Sequence, residues 1–238
     1  MFGRIVSSSF ILCVAIVGGI SSAAAEPARV IILRHGEKAD PYRLCDVGMQ
    51  RSLALTSRYL GRGAEASLYG ARGVPDAFFA ITLHTLELIG PTAVSWRKPV
   101  IMHNAMPQAK EDASAFTHLL NVRTQEAVAD VMHNWNGKTV VMAWEHKHIA
   151  DEKLVLSFPR LRVTLRQLLN LDVLGNVPKT WPDSNYDYFW VVDYEAGRAK
   201  SFEMVRQTFT TPFQNLPSND WGAPATLPKD CEGGKAAM

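Results

Sequence analysis

Cysteine, charge of one sign and long apolar runs are all scarce in this chain. Three cysteines in 238 residues allow one disulfide at most. A formal net charge of +2, with no Lys/Arg block, carries no electrostatic footprint for nucleic acid. The apolar stretch Phe10–Ile20 is too short to cross a bilayer comfortably. With Arg4 before it and Ala23-Ala24-Ala25 before Glu26, it reads as the core of a secretory signal over residues 1–25. The mature protein is then expected outside the cytoplasm, periplasmic or secreted, and off the membrane after cleavage; an uncleaved anchor is the other reading. Cys13 falls in that leader, so Cys45 and Cys231 remain. In an oxidising compartment they can bond, tying the C-terminal tail to the loop region around residue 45, or stay as two thiols. The sequence leaves both open. GxxxxGK[ST], GxSxG and GxGxxG patterns are missing, which removes support for P-loop, serine-hydrolase and dinucleotide readings.

What is present is a globular composition, 47% hydrophobic and 20% charged, of a length that fits one domain with a sizeable core. Residues 26–209 are assigned to that domain. Residues 210–238, rich in Pro, Asn, Gly and Asp, read as an extended tail. Val30–Leu33 and Thr139–Trp144 are continuous apolar runs, as expected of strands buried on both faces of a parallel sheet. Asp76–Ala80 and Pro99–Met102 are weaker strand candidates. Gly48–Leu60 is a predicted helix with Met49, Leu53, Thr56 and Leu60 on its apolar face. His84–Ile89, Glu111–Trp135 (broken near Asn121) and Leu161–Leu171 are further predicted helices. Tyr188–Tyr194 and Ser201–Thr208 form a predicted hairpin through Glu195-Ala196-Gly197-Arg198. The alternation predicts an α/β three-layer sandwich: a mostly parallel sheet, helices on both faces and a C-terminal antiparallel hairpin.

In such sheets ligands bind beyond the carboxyl ends of the strands. The first strand runs straight into Arg34-His35-Gly36-Glu37, and Thr139–Trp144 runs into Glu145-His146. A neutral imidazole can attack phosphorus, and an arginine fork can hold the oxygens of a phosphoryl group. Lys38 and Lys147 flank the two motifs and could raise the local potential for an anion. His146-Lys147-His148 is an H-x-H pair, but no third ligand stands at a recognisable spacing and HExxH is absent, so no metal or cofactor is expected.

LRHGEK resembles the signature of the histidine phosphatase superfamily, also called phosphoglycerate-mutase-like. Leu44–Arg51 with Leu53-Ala54-Leu55 is similar to the family's following helix start, and PDAFFA to the strand before its second motif. VVMAWEHKHI is similar to the strand ending in the second catalytic histidine, here His146. YDYFWVVDY resembles the closing strand of one bacterial branch. The likeness covers most of residues 28–207.

It implies a metal-independent phosphatase acting on a small phosphorylated substrate. His35 is the implied nucleophile, Arg34 the oxygen clamp and His146 a second donor, with water hydrolysing the phosphohistidine. Where the family has a second phosphate-binding arginine this chain has His84, which is expected at the phosphate but cannot copy a bidentate fork, so Arg72 or Arg43 is expected to supply the charge. The general acid is assigned to Glu145 in preference to Glu111-Asp112, and Glu37 to a structural role. Neighbours on a strand point to opposite faces, so Glu145 and His146 cooperate only if the chain has already turned. The other reading is a catalytically weak or inactive relative that binds phosphorylated ligands or a protein partner.

Overall fold

The computed structural model describes residues 26–106 and 113–231. The signal over residues 1–25 and the acid candidates Glu111 and Asp112 lie outside them.

β1 (Arg29–Arg34) has five consecutive buried residues, so neither of its faces meets water. α1 (Asp46–Leu55) follows and runs into a π-helical turn, Thr56–Leu60. β2 (Ala77–Ala80) leads to α2 (Leu83–Trp96), and β3 (Val100–Met102) to α3 (Ala113–Asn134). β4 (Thr139–Trp144) is buried throughout. After it come three short helices, α4 (His146–Ile149), α5 (Glu152–Ser157) and α6 (Leu165–Leu168), then β5 (Tyr188–Glu195) and β6 (Arg198–Arg206).

The sheet order is β3-β2-β4-β1-β5-β6. The first four strands are mutually parallel, and β5 and β6 run antiparallel. Alternate side chains of the central strands enter two separate cores. Val30, Ile32, Phe79, Met142, Trp144 and Trp190 pack with Leu120, Val131 and Leu165 of α3 and α6 on one face. Ile31, Leu33, Phe78, Val141 and Phe189 pack with Leu55, Leu60 and Leu88 on the other. Each fully buried side chain of this size contributes about 1.5–3 kcal/mol, which explains why the apolar runs need no polar alternation. The expected three-layer α/β architecture is what forms.

The hairpin turn Ala196-Gly197 has both residues at positive φ, 51° and 83°, as a two-residue type I′ connection requires. It extends the main sheet through β5, which lies directly against β1.

Three expectations are corrected. Met49 and Leu53 are 43% and 51% exposed; α1 turns Gly48, Ala54 and Leu55 inward instead, together with Arg51 and Ser52, whose polar groups find partners inside. α3 is unbroken at Asn121, because the buried amide oxygen there accepts from His148 Nε2 at 2.9 Å. The Leu161–Leu171 stretch forms only the single turn α6, capped by Thr164 and Gln167.

Gly48 sits where a Cβ would come within 2.3 Å of Glu37 O, so α1 presses against the loop that follows β1. From Thr210 to Cys231 there is no strand or α-helix, only turns and a 3₁₀ turn at Lys229–Cys231. This segment is bonded back to the N-cap of α1 through the Cys45–Cys231 disulfide.

Candidate active site

Strand register builds the site. Arg34 of β1 lies beside Trp144 of β4, and Ala80 of β2 beside Ala143, so three parallel strands end level. The residues just past those ends, His35, Thr82 and Glu145-His146, share one crevice. β5 is antiparallel with Leu33 beside Phe189, so the loop that precedes it, Asp183 to Tyr186, arrives at the same edge.

His35 Nδ1 lies 2.8 Å from Gly36 O. A carbonyl only accepts, so Nδ1 carries the hydrogen and Nε2 keeps its lone pair. His146 Nε2 lies 2.7 Å from Asp183 Oδ1, which likewise places its hydrogen there and leaves Nδ1 facing inward. The two free nitrogens are 3.1 Å apart. Arg34 Nη2 stands 3.2 Å from the first and 3.3 Å from the second, donating to both. Its Nη1 is committed elsewhere, to the carbonyls of Pro182, Asp183 and Asn185 at 3.1, 2.9 and 3.0 Å. The guanidinium lies 3.9 Å over the Tyr186 ring, and Nε is buried without a partner. Arg34 thus anchors the β5 loop with one nitrogen and serves the crevice with the other.

Burial, reinforced by the Lys38 and Arg34 cations against the pull of Glu145, holds the His35 ring well below its ordinary pKa. Burial, then Arg34, pushes His146 down to about 3 although Asp183 opposes. Both rings are therefore neutral near pH 7. Asp183 is held down to about 2, chiefly by its hydrogen bond from His146.

Glu145 is the N-cap of α4, so the chain has turned before His146, and both side chains face the same space. Glu145 Oε1 accepts from Thr82 Oγ1 at 3.1 Å and makes a short hydrogen bond with His84 Nε2. Its Oε2 lies 3.5 Å from Lys38 Nζ and 3.6 Å from His35 Nε2. Burial by itself would raise the Glu145 pKa; Lys38, His84 and His35 together outweigh it and keep the carboxyl ionised.

The remaining sequence candidates separate cleanly. His84, expected as a phosphate ligand, is buried in the first turn of α2 with its nitrogens on Glu145 and on Pro41 O, the latter at 3.0 Å. Arg72 is exposed in the 3₁₀ turn Gly70–Arg72, which packs on Arg29 at the amino end of β1. That end is five residues, roughly 16 Å, from Arg34, so Arg72 lies on the wrong side of the sheet. Arg43 is exposed and pairs with Asp40 at 2.8 Å. His148 turns away to Asn121, so the H-x-H pair diverges.

Lys38, buried against Glu145, was a flanking cation in the sequence and proves to be part of the crevice. Asp183 carries no motif and Tyr186, though it opens YDYFWVVDY, carried no site expectation; the antiparallel register of β5 brings both in. His35, Glu145 and His146 do offer three ligand atoms within 4.8 Å of one another. Arg34 stands beside both imidazole lone pairs and Lys38 faces the carboxylate, so two fixed cations oppose a third. The surplus of donors suits an anion. A cavity of about 660 Å³ opens beside His146 rather than over His35, with Lys147, Leu154, Phe158, Trp181 and Asp183 among its lining.

No protein-family model matches the chain, and no curated protein matches it. Among solved structures, a protein of Agrobacterium tumefaciens provisionally described as the phosphohistidine phosphatase SixA aligns at 11% identity and TM-score 0.37, over 74% of this chain and 97% of its own. Mycobacterial glucosyl-3-phosphoglycerate phosphatase in complex with inorganic phosphate aligns at 15% identity and TM-score 0.40, over 79% and 99%. A protein described as mycobacterial hydrolase 1 aligns at 14% identity and TM-score 0.41, over 77% and 99%. These likenesses are too distant to say anything of this chain's chemistry.

Proposed function

We propose that the chain is a phosphatase of the histidine phosphatase type, which cleaves a small phosphomonoester through a phosphorylated His35 and needs no metal. One observation carries this reading: a neutral His35 whose Nδ1 hydrogen is tied to Gly36 O, with its free Nε2 beside Arg34 and His146. A nucleophile needs that lone pair, and a phosphoryl group gaining charge on its equatorial oxygens needs donors already in place. Arg34 Nη2 supplies one donor. His146, whose inward Nδ1 is bare while Nε2 is tied to Asp183, becomes the second once it takes the proton of a bound phosphomonoester monoanion, and Lys38 supplies the charge of the family's missing second arginine. Glu145 handles the proton of the leaving oxygen and then that of the attacking water.

An incubation of the purified protein with p-nitrophenyl phosphate, with and without chelator, tests this. Turnover that survives the chelator, disappears in His35→Ala and leaves an acid-labile, alkali-stable phosphoprotein on quenching is the expected result. Equal rates in the variant would end the assignment. Phosphate binding without any turnover would favour the binding-module reading, which the occupied His84 and the deep burial of Arg34 and His35 motivate.

We further propose that the protein works outside the cytoplasm. The secretory-type leader and the Cys45–Cys231 bond both support this. Mature protein beginning at Glu26 in the exported fraction is the expected finding.

A further inference from the structure

We propose that His84 and Glu145 act as one proton-holding pair, which serves as both the acid and the base of the reaction, with His84 working through Glu145. The inference rests on the phosphatase reading and adds the means by which protons are supplied. Pro41 O, 3.0 Å from His84 Nδ1, can only accept. The Nδ1 hydrogen is therefore fixed. The short contact between His84 Nε2 and Glu145 Oε1 then holds one proton, either on the ring as imidazolium with carboxylate or on the carboxyl with a neutral ring. Thr82 Oγ1 braces both partners, at 2.9 Å from His84 Nε2 and 3.1 Å from Glu145 Oε1. The same carboxyl reaches towards His35 with its other oxygen. His84 is 3% exposed and its ring meets that of His35 edge-on at 5.3 Å, so the pair is built into the wall of the crevice.

The steps balance. In the first, the His35 Nε2 lone pair forms the N–P bond while the P–O bond breaks with its electrons to the leaving oxygen. The proton on His84 Nε2 passes to the Glu145 carboxylate and from it to that oxygen, giving the alcohol. In the second, water forms a new P–O bond and its proton goes to Glu145 and on to His84. The N–P electrons return to His35, and phosphate leaves.

An ester whose leaving group is a poor base, such as p-nitrophenolate, departs without a proton; an alkoxide does not. In His84→Gln, an amide still donates to Glu145 but cannot give up its proton. This variant should keep the first-turnover burst of p-nitrophenolate within about threefold while slowing the first-turnover release of glycerol from glycerol phosphate about 100-fold, and should slow the later hydrolysis of the phosphohistidine, a step common to both esters, equally for each. Glu145→Gln should show the same split, and the double variant should be no worse than the worse single one. Equal loss on the two esters in the first turnover, full activity on both, or additive losses would overturn the pair as a proton device. Should His84→Gln fail to fold, His84→Asn, read on the same two esters, decides in its place. Dependence of wild-type aryl phosphate turnover on His35 checks the underlying phosphatase reading separately.

Discussion

Arg34 and Glu37 leave the same strand three residues apart, and both are buried, yet their surroundings are opposites. Glu37 is closed off by one counter-ion: Arg51 Nη2 at 2.6 Å and Nε at 3.0 and 3.2 Å, with the guanidinium continuing to Gln207 Oε1 and Pro217 O. Burial works against the Arg51 charge, and Glu37 overrides it. Around Arg34 the charges do not close. Arg34 and Lys38 face a single buried carboxylate, Glu145, and Arg34 Nε has no partner. A saturated buried pair with charges matched one to one has nothing left to bind and holds chain segments together, here the β1 loop, α1 and the tail. A cluster with surplus donors keeps them for something that arrives. Evidence that Arg51 variants lose turnover at unchanged stability would break this contrast.

The largest expected effect lies on the open side. His35→Ala should lower phosphatase turnover by about four orders of magnitude or more while leaving urea stability nearly unchanged, a pairing read by one assay and one denaturation curve. On the closed side the pattern inverts. Arg51→Ala strands Glu37 as a buried lone charge and should cost about 3–5 kcal/mol of stability, seen as a shifted urea midpoint.

The disulfide should act like the closed side. Cys45→Ser with Cys231→Ser releases a cross-link between residues 186 apart in sequence. A loss of about 2–4 kcal/mol and a lower Tm are expected, with KM unchanged.

Acid should weaken the fold through its buried rings. His146, at about 3, and His148, at about 4, sit below the ordinary 6.5 chiefly because burial penalises their charged forms. As pH falls below about 6.5 the unfolded chain takes up these protons first. Stability should therefore be flat above that pH and fall towards pH 4, by up to about 1.4 kcal/mol per unit for each ring. Urea curves at pH 7 and pH 5 measure it, and His148→Gln should flatten the slope. Smallest is the loss of a single flanking cation: Lys38→Met should weaken competitive inhibition by inorganic phosphate about tenfold.

Strand-borne features were legible because apolar runs that must be buried on both faces write themselves plainly. β4 coincides with its predicted span, and the hairpin falls where its Ala196-Gly197 turn permits. Helix faces were harder to read. Arg51 and Ser52 point inward on hydrogen bonds that no periodicity shows, which displaced Met49 and Leu53 to the surface. In the candidate site, Arg34, His35, Glu145 and His146 stood at the ends of readable strands. Arg72 misled because arginine identity says nothing about which end of the sheet it decorates. Asp183 gave no signal and Tyr186 only that it opens the last strand motif, because both are loop residues whose place depends on a strand pairing more than 150 residues from β1.

The sequence by itself determined that two apolar strands each deliver a histidine at the carboxyl end, since hydrophobic burial fixes such runs whatever surrounds them. Only tertiary structure decided how those rings are protonated, which cations remain unmatched, and that His84 serves Glu145. Protonation and charge balance depend on distances of a few ångströms between residues far apart in the chain, and those distances exist only once register and packing have brought the strand ends level.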